Sequence, residues 1–214
     1  MEILVIGANG QIGKQVVQIL KQEGKHEVKA MVRNENQIEE FESMGIKAVL
    51  ADLEDSVEFL SEVFKGCDAI IFAAGSGGST GPDKTLLVDL DGAVKTMEAA
   101  QEAEVERYIM VSALQANNRE NWNPVLKPYY VAKHYADRIL EQSELNYTIV
   151  RPGRLLNEAG TGKIKAGIEL ERSSIPREDV ARTLVAAIDN HHTFRKSFDL
   201  TSGELDIKIA LKKL

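Results

Sequence analysis

The chain of 214 residues has little cysteine, few aromatic residues and no long apolar run. Its single cysteine, Cys67, excludes an internal disulfide and is typical of proteins in a reducing compartment. No apolar run approaches the roughly 20 residues of a membrane-spanning helix. The first apolar segment starts at Ile3, which leaves no room for a signal peptide. We therefore expect a cytoplasmic protein with no membrane partner.

Basic residues are also outnumbered, and the formal net charge is −7. Lys and Arg are scattered along the chain, whereas a nucleic-acid surface needs a concentrated basic stripe. His191 and His192 would point in different directions on a helix, and no third ligand is nearby, so we expect no metal site. With 43% hydrophobic and 28% charged residues, the composition predicts one folded domain over residues 1–214.

Near the start, a four-residue apolar run, Ile3–Ile6, is followed by glycines at positions 7, 10 and 13 and then by apolar residues at helical spacing. A strand, a glycine turn and a helix in this order are typical of dinucleotide binding. Gly7 allows a sharp turn, Gly10 allows close approach of a ligand, and Gly13 allows the helix to pack on the strand. An ordinary strand–loop–helix with turn glycines is the alternative. The residues expected to contact the cofactor are Gly7, Asn9, Gly10, Gln11, Ile12 and Gly13.

Apolar runs alternate with amphipathic ones almost to the end of the chain, which predicts an α/β fold with a doubly wound parallel sheet. Further strands are predicted at Glu27–Val32, Ile46–Leu50, Asp68–Phe72, Arg107–Val111, Leu145–Val150 and Ser197–Leu200. Residues 154–174 contain several glycines and are predicted to be loop-like. They fall in a small substrate-side segment, residues 154–175, of a C-terminal lobe.

The end of the second predicted strand bears on the choice of cofactor. NAD-specific folds usually place an acidic residue there, where it accepts a hydrogen bond from the ribose 2′-hydroxyl. This chain has Arg33 followed by Asn34. A cation suits a 2′-phosphate, so NADP is favoured over NAD, with a solvent-exposed arginine of no special role as the alternative.

Two later strand ends supply further candidate cofactor contacts. Asp52 and Leu53 follow the third strand, where Asp52 either accepts from the adenine amino group or caps the next helix. Small residues after the fourth strand, Ala73, Ala74 and Gly75, would let the dinucleotide lie close to the backbone. The stretch 76–82 lacks the ending of a second phosphate loop and is predicted to be a flexible loop at the substrate mouth.

The residues best suited to chemistry are Tyr129 and Lys133, which are four positions apart and share one face of a predicted helix. An adjacent ammonium is expected to lower the phenol pKa and so fit it for proton exchange with a substrate oxygen. Ser112 follows the fifth strand and faces the same crevice, where it is suited to orient a carbonyl. A solvated Tyr–Lys pair is the alternative.

These motifs resemble those of the short-chain dehydrogenase/reductase superfamily. The similarity is to its atypical NAD(P)-binding, reductase-like branch, which is related to sugar-nucleotide epimerases, biliverdin/flavin reductases and NmrA-type proteins. Val88–Gly92, Thr148–Gly153 and Ile175–Ala181 add to the resemblance, which covers essentially the whole chain.

The resemblance implies a Rossmann fold with Tyr129 as acid/base, Lys133 as ligand of the nicotinamide ribose and Ser112 polarising the carbonyl. It also implies that Pro152 lies on the nicotinamide side. Asp89 stands where many relatives carry asparagine, which puts a proton-relay role for it in doubt.

Together these features predict an NADP-dependent oxidoreductase that transfers a hydride to a small carbonyl, quinone or flavin-like substrate. One alternative is an NADP(H)-binding redox sensor or assembly protein without turnover, and another is an epimerase or isomerase. The small lobe weighs against a bulky nucleotide-sugar. We expect a monomer, or a homodimer paired through helices near residues 84–104 and 125–142.

Overall fold

A computed structural model describes residues 1–78 and 80–214. Its strands are β1 Glu2–Ile6, β2 Glu27–Val32, β3 Lys47–Leu50, β4 Ala69–Phe72, β5 Arg107–Val111, β6 Asn146–Pro152, β7 Arg154–Leu156, β8 Lys163–Gly167, β9 Ser174–Pro176, β10 Lys196–Ser202 and β11 Leu205–Asp206. Its α-helices are α1 Gln11–Glu23, α2 Glu35–Ser43, α3 Val57–Phe64, α4 Pro82–Lys84, α5 Ala93–Glu102, α6 Lys127–Gln142, α7 Arg177–Ala187 and α8 Ile207–Leu211. A π-helical segment, Thr85–Gly92, joins α4 to α5, and 3₁₀ turns occupy Arg119–Asn121, Pro124–Leu126 and His191–Thr193.

Nine strands form one sheet in the order β11-β8-β10-β6-β5-β4-β1-β2-β3. The seven strands from β10 to β3 are parallel, while β8 runs antiparallel to both β10 and β11. The chain proceeds from β1 to β2 on one side and returns to place β4 on the other. The carboxyl ends of β1 and β4 therefore flank the point where ligands bind in doubly wound folds. The predicted doubly wound α/β fold is confirmed.

The core has two layers because successive side chains of a strand point to opposite faces of the sheet. In β1, Ile3 and Val5 join the core that includes α1 and α7. Leu4 and Ile6 join the core that includes α3, α5 and α6. Since β1 is covered on both faces, its apolar run is continuous, as expected of a central parallel strand.

The prediction of a loop-like stretch over residues 154–174 is wrong for the three short strands that it contains and holds for the segments between them. β7 pairs in parallel with β9 as a separate two-stranded sheet, and β8 extends the main sheet next to β10. These strands are only three to five residues long, which is too short for a pattern of alternation to be recognised. Their pairing partners lie far along the chain, which a local pattern does not report.

No helix among the described residues combines the length and the hydropathy needed to cross a bilayer. The structure describes only part of the predicted loop over residues 76–82, because Ser79 lies outside the described residues.

Candidate cofactor and reaction site

The glycine turn after β1 is packed so tightly that two of its glycines cannot be replaced without movement. Gly7 has φ +78°, and a Cβ atom there would lie 2.7 Å from the Cα of Ala74. A Cβ atom at Gly13 would lie 2.1 Å from the carbonyl oxygen of Gly7. At Gly10 the nearest atom to such a Cβ is the same oxygen, at 3.1 Å, and the residue is exposed. Gly7 and Gly13 thus shape the turn, whereas Gly10 presents open backbone to a ligand.

The N-terminus of α1 faces outward beyond this turn. Gly10 occupies the N-cap position without a side-chain cap, so the first-turn N–H groups have no side-chain acceptor there. Asn9 and Gln11 are exposed, while Ile12 is buried beneath the turn. A cavity of about 410 Å³ adjoins this end of α1, and its lining residues are Gln11, Lys14, Gln15, Leu156, Asn157, Glu158, Ala159, Arg177 and Glu178. An uncapped helix N-terminus above a glycine turn fits the pyrophosphate of a dinucleotide.

Arg33 lies at the end of β2, next to β1 in the sheet, and is exposed. Its backbone N–H donates to the Gln37 side chain at 3.3 Å. Within the described part of the chain its guanidinium makes no ion pair, so the charge is available to a ligand. This position suits a 2′-phosphate.

Asp52 does not cap the following helix, so that alternative for it is wrong. The Ser56 hydroxyl accepts from the N–H of Phe59 and caps α3. One Asp52 oxygen instead accepts from the N–H of Glu54 at 3.0 Å. The contact of Asp52 with adenine stays a prediction. Leu53 is buried against Gly92, where a Cβ atom would lie 2.9 Å from the Leu53 Cβ.

The remaining predicted cofactor residues lie at the carboxyl edge of the sheet. Ala73 and Ala74 follow β4 and are half-buried, with Ala74 against the Gly7 turn. Gly75 is exposed and lies over the Asp89 side chain, since a Cβ atom there would be 3.1 Å from Asp89 Oδ1. Pro152 is buried at the end of β6, and its carbonyl accepts from the N–H of Leu114.

Tyr129 and Lys133 lie on one face of α6, as their spacing predicts. Lys133 is buried, and its Nζ lies 5.7 Å from the centre of the Tyr129 ring. The same nitrogen donates to the carbonyl of Val111 at 3.3 Å, which anchors it beside the end of β5. Its counter-ion is Asp89, whose Oδ1 is 3.2 Å away. The Tyr129 hydroxyl makes no hydrogen bond to the residues that the structure describes, so it is free to meet a substrate.

The electrostatics of this pair correct the expectation that Lys133 lowers the phenol pKa. Burial raises the pKa of Tyr129 by more than Lys133 lowers it, and the Asp89 carboxylate raises the value further. For Lys133, burial works against the charge, but Asp89 and Tyr129 together hold its pKa above the ordinary value. At neutral pH the pair is therefore a protonated phenol beside an ammonium.

Ser112 follows β5 but lies next to Asp137 on α6. Its hydroxyl is buried without a hydrogen-bond partner of normal geometry among the described residues. Burial raises the pKa of Asp137, and the opposing influences are Arg151 first and the Ser112 hydroxyl second. Arg151 Nε donates to Asp137 at 2.7 Å and holds that carboxylate in place. Ser112 is thus adjacent to the reaction face without being tied to Tyr129.

The sequence interpretation missed the partnerships of Asp89 and Asp137. Asp137 is four positions after Lys133, and Asp89 is four positions before the buried Ala93, so both charges fall on helix faces that the spacing predicts to be internal. A charged residue on a predicted internal helix face was the signal that could have indicated a buried partner for each carboxylate. Asp137 also borders a polar cavity of about 540 Å³, lined by Asn117, Asn118, Arg119, Glu120, His134, Asp137, Arg138, Glu141, Arg151 and Glu169.

The family model for NAD(P)H-binding proteins matches residues 7–191. The Bacillus subtilis protein YhfK, whose name calls it an uncharacterized sugar epimerase, is 59% identical over 214 residues, with 100% of both chains covered.

Two solved structures share the whole fold. A Bacillus halodurans protein, provisionally described as an NAD-dependent epimerase/dehydratase, is 41% identical with a TM-score of 0.93 and covers 100% of both chains. The oxidoreductase ylbE from Lactococcus lactis is 36% identical with a TM-score of 0.92 and covers 100% of this chain and 96% of its own.

Proposed function

The chain belongs to the NAD(P)H-binding family, and on that basis we propose that it is an NADP-dependent oxidoreductase that reduces a small carbonyl, quinone or flavin-like substrate. The observation that carries the proposal is the Tyr129–Lys133 pair. A free phenol and a buried ammonium share one helix face at the carboxyl edge of the sheet, next to the crevice that the glycine turn borders.

The residues around the crevice fit a dinucleotide from end to end. The backbone at Gly10 and the N-terminus of α1 would hold the pyrophosphate, and Arg33 would hold the 2′-phosphate. Asp52 and Leu53 would lie on the adenine side. The small residues at 73–75 would admit the dinucleotide, while Lys133 and Pro152 would lie on the nicotinamide side. When bound, the reduced cofactor supplies a hydride.

Tyr129 is the proton donor in this proposal. Burial keeps the pKa of its phenol above the ordinary value, so the hydroxyl is fully protonated at neutral pH and can protonate a substrate oxygen. Because an acid with a raised pKa loses its proton only when the pH climbs through that value, reduction should hold from neutral into alkaline pH and then fall. The pKa of Lys133 is also held above its ordinary value, so Lys133 is charged at neutral pH, and its Nζ lies 5.7 Å from the centre of the Tyr129 ring.

Two other functions have support of their own. A cofactor-binding sensor or assembly protein without turnover would use the glycine turn and the exposed Arg33 in the same way as a reductase. The names of the Bacillus subtilis and Bacillus halodurans relatives favour an epimerase. Against an epimerase, the substrate-side segment over residues 154–175 is small and offers little room for a nucleotide-sugar.

The test compares turnover by the wild type with turnover by Tyr129→Phe, which keeps the aromatic ring but lacks the hydroxyl. The purified protein is first screened for NADPH oxidation with small carbonyls, quinones and flavins. Tyr129→Phe should then lower the rate constant for reduction by about 100-fold or more, because general acid catalysis contributes roughly that factor. Its Kd for NADPH should change less than threefold, roughly the scatter of a surface change.

Unaltered turnover by Tyr129→Phe would disprove the acid role. Tight NADPH binding without oxidation of any substrate in the panel would favour the sensor. Tyr135→Phe is the matched control, because Tyr135 is on the same helix but is exposed and bonds the Arg119 guanidinium.

A further inference from the structure

Asp89 is a buried carboxylate with contacts on two sides. Only 1% of its surface is exposed, although its neighbours Leu86 and Leu87 on the same π-helical segment are exposed. The wider turn of a π-helix is rare and is frequently found at functional sites. Here it brings a charged side chain inward between the crevice loop and α6.

On one side, Asp89 holds the loop that follows β4. Its Oδ2 accepts from the Ser76 N–H at 3.0 Å and from the Ser76 hydroxyl at 2.7 Å. Since this loop begins with the small residues expected to admit the dinucleotide, the carboxylate fixes one wall of the crevice.

On the other side, Asp89 faces the reaction helix. Its Oδ1 lies 3.2 Å from Lys133 Nζ but makes no hydrogen bond of normal geometry with the described residues. The contact is therefore an ion pair in a buried setting, where charges interact more strongly than in water. Lys133 also donates to the carbonyl of Val111, so its position is set by the carboxylate and the strand end together.

We propose that Asp89 is a positioning residue, which fixes the Lys133 ammonium beside β5, joins it to the crevice loop through Ser76, and partly offsets the effect of the ammonium charge on the Tyr129 phenol. This inference rests on the proposed function only for the use made of Tyr129. The arrangement of the three side chains is independent of any substrate.

The charged and titratable groups that act on Tyr129 come from two elements. Lys133, Tyr130 and Asp137 are on α6, and Asp89 is on the π-helical segment. Asp137 already has a partner in Arg151 on β6. Asp89 and Tyr129 thus both interact with the Lys133 ammonium. Removing the Asp89 charge should strengthen the effect of the ammonium on the phenol and lower the pKa of Tyr129.

The experiment measures ionisation of Tyr129 by its phenolate absorption in the cofactor-free protein. The Tyr129 signal is the difference between each protein and its own Tyr129→Phe version, which subtracts the other tyrosines. In Asp89→Asn the signal should appear about one to three pH units lower than in the wild type, the range typical for a neighbouring charge. Asp89→Glu keeps the charge and should restore wild-type behaviour.

Ser76→Ala is the matched control for the loop contact. It removes one hydrogen bond to Asp89 but leaves the carboxylate charged, so the Tyr129 signal should move by less than half the shift in Asp89→Asn. In Asp89→Ser, which tests the loop separately, the Ser76 amide should exchange its hydrogen at least tenfold faster because its acceptor is gone. Asp89→Ser also repeats the phenolate test should the asparagine variant fail to fold.

An unchanged or higher ionisation pH for Tyr129 in the folded Asp89→Asn or Asp89→Ser protein would overturn the inference. The proposed function has a separate failure, since absence of NADPH binding by the wild type would contradict it while leaving the phenolate result in place. A lowered ionisation pH together with NADPH oxidation supports both.

Discussion

At the scale of single residues, the proposed preference for NADP over NAD depends on Arg33. It is exposed at the end of β2 and has no ion-pair partner among the described residues. Arg33→Asp should raise the Kd for NADPH at least tenfold, because a hydrogen bond to a charged group contributes about 1.5–3 kcal/mol. The Kd for NADH should change less than threefold, as calorimetric titration of both dinucleotides would reveal.

A charge reversal far from the crevice controls for net charge. Lys213 is exposed and follows α8 in the chain. This helix contacts β8, which lies near the opposite edge of the sheet from β2 and β3. Lys213→Asp should leave both dissociation constants unchanged. If Arg33→Asp weakened NADPH and NADH equally, the 2′-phosphate role would be refuted.

Spacing along the chain predicted the Tyr129–Lys133 pair but not the groups that tune it. Two residues four apart on a helix share a face whatever surrounds them, so the pair is a local property. The pKa of Tyr129 depends on burial and on Asp89, which reaches α6 from a different helix. The sign of the shift was therefore predicted wrongly, since it depends on packing that the local sequence does not contain.

At the scale of elements, the glycine turn and α1 form one unit in which two glycines have different tasks. Gly13→Ala should lower the free energy of unfolding by about 1–3 kcal/mol, the usual cost of overpacking, because its Cβ would lie 2.1 Å from the Gly7 oxygen. Chemical denaturation measures this loss. NADPH affinity should fall as well, since the turn must shift.

Gly10→Ala is the contrasting variant. Its added Cβ would be 3.1 Å from the same oxygen and otherwise in open space. Stability should drop by less than about 1 kcal/mol, the typical effect at an N-cap. NADPH affinity should fall several-fold, because the methyl group occupies the path of the pyrophosphate. Equal losses of stability in the two variants would contradict the separation of packing from ligand approach.

Elements with strong local signals were predicted well. β2 and β5 have the predicted bounds, and each ends in a run of apolar residues. The long helix predicted over residues 84–104 is present but contains the π-helical segment, because the inward turn of Asp89 is set by packing against α6. β8 was not predicted from the sequence, since it pairs with β10 through residues that are more than 30 positions apart in the chain.

At the scale of the whole molecule, the alternation of strands and helices was enough to predict the doubly wound sheet, because covered parallel strands must be apolar throughout. The position of the crevice follows from the topology, because the strand order reverses between β1 and β4. Its substrate does not follow from the topology, since fold and function are separable and the side chains around Tyr129 come from several loops.

Calorimetric titration of the wild-type protein with NADPH and NADH shows whether the crevice binds a dinucleotide and which of the two it prefers. We predict binding of NADPH at least tenfold tighter than NADH. At a free concentration 100 times its Kd, NADPH should also stabilise the fold by about 2.7 kcal/mol and raise Tm accordingly. Absence of binding by both dinucleotides, or equal affinity for the two, would contradict the account of the glycine turn and Arg33.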